Sequence, residues 1–112
     1  SKHLIVEPPA PKDPLVNPPT QHVLTIRMDT SHCVQLVINP RSKESEELLE
    51  AMVDELRRLR DMSKSRPRET WFTWFYGQDY IRVSFALNYK YNVTMVSTIL
   101  EEKFCSNSVH LD

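Results

Sequence analysis

Few residues in this chain have the type and spacing that chemistry requires. Histidines occur at positions 3, 22, 32 and 110, and cysteines at 33 and 105. Only His32-Cys33 sets an imidazole beside a thiol, and an activated thiolate needs its base within hydrogen-bond reach. Neighbours on a strand point to opposite faces, which separates that pair unless the turn bends them together. The acids from Glu44 to Glu55 suggest paired carboxylates, but on a helix they read as a solvated arc rather than an acid/base site. Loops that cradle phosphates need glycines, and Gly77 is the only glycine. No Cys-x-x-Cys or other zinc spacing occurs. The expectation is a non-catalytic chain with no cofactor, no metal and no small-molecule substrate, whose role is binding.

Two sets of residues could do that binding. Trp71, Phe75, Tyr80 and Arg82 fall on one side of an aromatic hairpin, the side opposite its alternating apolar core positions. Aromatic and arginine side chains are common anchors in protein interfaces, so this set suggests a protein partner or a second copy of the chain. The second set is Arg57, Arg58, Arg60, Lys64, Arg66 and Arg68, six cations in twelve positions against one acid, Asp61. Cations for phosphates leading into stacking aromatics would suit a single-stranded nucleic acid or another anion. The bland account of the same cations is that a helix C-terminus favours positive charge.

These sets need elements to hold them, and the clearest is an amphipathic helix from Ser42 to Lys64. At 100° per residue, Leu48, Leu49, Met52, Val53, Leu56, Leu59 and Met62 share one half of its circumference. Glu44, Glu46, Glu47 and Glu50 crowd its first turns and Arg57, Arg58, Arg60 and Lys64 its last, complementing the macrodipole. Asp54 and Arg58 form an i,i+4 pair in the favoured order. Asn39 or Ser42 can cap the helix, with Pro40 in the first turn if Asn39 does, and Pro67 forbids its continuation.

Before the helix, His22 to Met28 and Cys33 to Asn39 alternate as two half-buried strands. Their apolar sets share a face only if Met28 opposes Val34, Ile26 opposes Leu36 and Leu24 opposes Ile38, with Thr30-Ser31-His32 at the tip. After it, Thr70 to Tyr76 and Tyr80 to Leu87 form a second hairpin. A type II′ turn at Gly77-Gln78 would set Trp74 against Ile81 and Phe72 against Val83. A second helix runs from the Asn92 cap to Phe104, with Val93, Val96, Ile99, Leu100 and Phe104 inward. Ser108 to Leu111 is long enough for a short edge strand.

The element order ββαββα indicates an α+β two-layer sandwich, a four-stranded, mostly antiparallel sheet with two helices on one face and a short fifth strand if the tail adds one. With that strand, the stretch from Cys33 onward has the split βαβ order; a different fold that likewise opens with a hairpin and a helix is the other arrangement, and the sheet could be antiparallel or mixed.

Residues 1–21 hold six of the eight prolines and read as a proline-rich extended segment or linker, leaving 22–112 as one α+β domain. Pro8 to Pro11 and Pro11 to Pro14 fit P-x-x-P, so the segment could dock a partner or lie over the domain through Leu4-Ile5-Val6 or Leu15-Val16. A chain of 112 residues with a formal charge of −1 is one domain and not a globally basic nucleic-acid binder. It contains no run of apolar residues long enough to span a membrane and no signal-peptide layout. The two cysteines read as reduced thiols of a cytoplasmic or nuclear protein; Asn92-Val93-Thr94, a glycosylation sequon, is the contrary hint. Together these features suggest an adaptor or assembly domain, one piece of a larger scaffold.

Overall fold

The computed structural model describes residues 2–6, 21–29, 33–62, 72–86 and 93–111, and within these the side chains other than those of residues 29, 59–62 and 106–111. Its centre is the first hairpin, β2 (His22–Asp29) and β3 (Cys33–Asn39). The pairs Leu24 with Ile38, Ile26 with Leu36 and Met28 with Val34 form as parity demands. A slip of one residue would turn one of these apolar sets to the opposite face.

The second hairpin joins β4 (Thr73–Tyr76) to β5 (Ile81–Ala86), and β5 pairs with β3. Its turn differs from the expected one. Tyr76, not Trp74, opposes Ile81, and Trp74 opposes Val83. The connection is therefore the four residues from Gly77 to Tyr80, closed by the Gly77 N–H donating to the Tyr80 carbonyl at 2.9 Å. Gly77 does not take a positive φ. The shift is two residues, so every side chain keeps its expected face.

Two further strands complete the sheet. Lys2–Val6, which the composition assigns to the proline-rich segment, forms β1; the folded unit thus includes residues ahead of 22. β1 pairs antiparallel with β2, and Leu4 and Val6 are fully buried. The prolines begin only at Pro8, so five apolar-alternating residues are free to pair before them. On the far side of β1 lies β6 (Cys105–Leu111), which begins earlier than the expected tail strand and pairs with β1 through a bulged register. The six-stranded antiparallel sheet runs β4-β5-β3-β2-β1-β6. From β3 onward the split βαβ order is present, with the β2-β1 hairpin set between β3 and the last strand, and no mixed sheet forms.

Both helices cover one face. α1 (Lys43–Met62) buries Leu49, Met52 and Val53, and α2 (Val93–Phe104) buries Val96 and Leu100, over Leu24, Ile26, Val34, Leu36, Ile38, Ile81, Val83 and Phe85. Each such fully buried aliphatic side chain contributes roughly 1.5–3 kcal/mol. Ser42 caps α1: its Oγ accepts the Ser45 N–H at 3.0 Å while its own N–H donates to Ser45 Oγ at 2.7 Å. This is a capping box with serine in the place usually taken by glutamate. Asn39 is not the cap, and the Asn39–Pro40 peptide is cis. The buried His22 ties β2 to the same cap, its Nε2 3.1 Å from Ser42 Oγ.

One acid of α1 is not on the solvated arc. Glu55 is 7% exposed and lies 2.5 Å from both Arg58 and Lys103, locking α1 to α2. Arg58 thus pairs with Glu55, and Arg57 meets Asp54 at 3.6 Å. Hydrogen bonds from Arg58 and then Lys103 hold the Glu55 carboxyl down at about 2.

Candidate functional site

The strand positions that alternate with the core point away from both helices. They are Thr73 and Phe75 on β4, Arg82 and Ser84 on β5, Gln35 and Val37 on β3, Val23, Thr25 and Arg27 on β2, and His3 and Ile5 on β1. Register sets one row across the strands: Phe75 beside Arg82, Arg82 beside Val37, Val37 beside Thr25, Thr25 beside His3. An antiparallel sheet with helices on one side leaves this kind of face to water or to a ligand.

The centre of that face is hollow. A cleft of about 310 Å³ is lined by Thr25, Arg27, Val37, Asn39, Asp79, Tyr80 and Arg82. Val37 supplies its apolar floor and the others bring amide, hydroxyl, carboxylate and guanidinium groups.

A stack of three side chains stands over the cleft's β4 side. The Arg82 guanidinium lies 4.7 Å from the Phe75 ring centroid, and the Phe75 and Tyr80 rings stack with centroids 5.9 Å apart. Such a cation–π contact contributes about 0.5–1 kcal/mol at exposed sites. Phe75 remains 44% exposed. Arg82 Nε is buried without a hydrogen-bond acceptor, a state costing roughly 1–3 kcal/mol for a donor of this kind.

Tyr80 is fixed by the loop that carries it. A Cβ added at Gly77 would come within 2.6 Å of the Tyr80 ring, so the glycine is required for close approach and not for an unusual φ. Arg41 clamps the same loop: its N–H donates to the Asp79 carbonyl at 2.9 Å and its Nη1 to the Gly77 carbonyl at 2.7 Å. The residue leading into α1 thereby sets the position of the tyrosine on the other side of the sheet. On β2, Arg27 Nε donates to Gln35 Oε1 at 2.9 Å, and His3 Nδ1 lies 2.9 Å from Thr25 Oγ1.

Of the aromatic set, Phe75, Tyr80 and Arg82 come together on the open face, and Trp71 lies outside the described residues. Phe72, Trp74 and Tyr76 belong to the helix side, where Phe72 packs on Phe85 with centroids 5.2 Å apart. The described part of the basic set, Arg57 and Arg58, does not join them. Arg57 lies over Phe72 at 4.9 Å, on the helix side, and Arg58 is engaged by Glu55. The Arg60 side chain and Lys64, Arg66 and Arg68 lie outside the described residues. Thr25, Arg27, Val37, Asn39 and Asp79 were not singled out from the sequence; their signal was the parity of β2 and β3, which puts Thr25, Arg27 and Val37 on Arg82's face.

Cys33 and Cys105 are free thiols, and burial, with Glu101 nearby, pushes the Cys105 thiol up to about 11, away from thiolate chemistry. Among the described residues no three acidic, histidine or cysteine side chains gather as a metal site, and no helix is long and apolar enough to cross a membrane. No family model, curated protein or solved structure matches the chain.

Proposed function

We propose that this chain is a binding domain rather than an enzyme, and that it recognises a protein partner through the open face of its sheet. The observation that carries the reading is Phe75, 44% exposed between Arg82 and Tyr80 beside a cleft on the side neither helix covers. Aromatic and arginine side chains of this kind, partly desolvated and held in place, are the residues on which interfaces concentrate their energy. An adaptor or assembly role within a larger cytoplasmic or nuclear protein fits free cysteines and a surface built to be covered.

A second reading, single-stranded nucleic acid, is favoured by one feature: Arg27 and Arg82 share the open face with Phe75 and Tyr80, placing cations beside stacking rings. The described part of the basic stretch, Arg57 and Arg58, lies with α1 across the sheet from those rings and adds nothing to them.

Photo-crosslinking tests the first reading. A photoreactive side chain at position 75 should yield a discrete protein adduct or a crosslinked homodimer, and the same group at the exposed position 54 of α1 should not. Equal labelling from both positions, or none from 75, rejects the open face as a protein interface. Titration with short oligonucleotides at two salt concentrations tests the second, for which steeply salt-dependent binding is expected.

A further inference from the structure

Resting on that reading, we infer that the cleft receives the carboxylate of an acidic side chain from the partner, with Arg82 as its anchor. Five arginines have described side chains. Arg27 donates to Gln35, Arg41 to the Gly77 carbonyl, Arg57 meets Asp54 and Arg58 meets Glu55. Arg82 alone among them meets only a ring, with its Nε buried and unaccepted. Its guanidinium is nevertheless held in place by Phe75, so the planar fork that suits a carboxylate is already oriented.

The surroundings complete the fit. Thr25 and Arg82 flank Val37 in register, so the methylenes of a glutamate would rest on an apolar floor while its head reaches the guanidinium. Asn39 and Tyr80 line the same cleft and can each donate to a carboxylate oxygen. Charge selects among anions. Arg27 and Arg82 stand against one acid, Asp79, a net single positive charge that matches one carboxylate better than a strand of consecutive phosphates.

The test is selection of displayed random peptides on the full chain, with binding then measured for the intact chain and for Arg82→Gln, Arg82→Lys and Phe75→Ala. Selected peptides should carry a recurrent Glu or Asp. Changing that acid to its amide should weaken binding at least tenfold on the unaltered chain and have no further effect on Arg82→Gln, while Arg82→Lys should bind at an intermediate level. Circular dichroism checks that the variants fold; if Arg82→Gln does not, the comparison is made with Arg82→Lys. Peptides without an acid that lose binding with Phe75→Ala overturn the carboxylate inference and leave the open-face reading intact. Peptides indifferent to Phe75→Ala overturn both. A library yielding no binder overturns the inference, as does binding confined to oligothymidylate, which would assign the face to nucleic acid.

Discussion

The two faces of β3 show how differently one strand can be used. Val34, Leu36 and Ile38 are sealed beneath α1 and α2, while Gln35 and Val37, their immediate neighbours, face the open side, Val37 lining the cleft with Arg82 and Thr25. The covered side answers to packing, where shape and volume decide stability. The open side carries charge, rings and an unaccepted donor that packing does not require. Residues that determine the fold and residues available for recognition therefore alternate along the same backbone, one position apart.

That contrast breaks most readily at the core. Leu36→Ala should cost about 2–5 kcal/mol in denaturant unfolding, whereas Val37→Ala, one residue on, should cost well under half as much. Similar losses at both would mean that the open face is packed after all.

Next in size is Glu55→Gln, which leaves Arg58 and Lys103 without their shared carboxylate and should lower stability at pH 7. The folded-state value of about 2 lies below the ordinary 4.5, so the ion pair's contribution is full above 4.5 and is lost as pH falls toward 2. The gap between the intact chain and Glu55→Gln in urea midpoints should close over that window. A constant gap would show that the carboxylate is not the source.

Gly77→Ala forces the Tyr80 ring away and should cost about 1–3 kcal/mol while unstacking Phe75, visible as lost ring-current shifts at the proton resonances of that ring. Unchanged shifts would place the tyrosine elsewhere. Smallest of all, Phe75→Ala should cost about 0.5–1 kcal/mol, the scale of its contact with Arg82. A large loss there would make Phe75 part of the scaffold and remove it from recognition.

Local pattern revealed the parts of this fold that local pattern controls. The pairing of Leu24 with Ile38, the stripe of α1 and the stripe of α2 all follow from periodicity, and so does the outward side of Phe75 and Arg82. β1 was hidden because Leu4 and Val6 stand next to a proline-rich stretch, and their partners in α2 and β6 come from the other end of the sequence. Glu55 looked solvated because its second cation, Lys103, is 48 residues away. The cleft needed Arg27 of β2 and Arg82 of β5 to meet around β3, a juxtaposition that depends on strand order. For Gly77 the sequence suggests a type II′ turn, whereas its use is the space it leaves for a ring.

The placement of β1 between β2 and β6 has a consequence for biosynthesis. The Lys2–Glu101 ion pair joins positions 99 apart, and the outer hydrogen bonds of β1 wait for Cys105–Leu111. While a ribosome is still delivering that last strand, β1 can join β2 but presents a raw edge to every neighbouring nascent chain. A stalled or shortened translation product would accordingly be the form of this protein most in need of a chaperone.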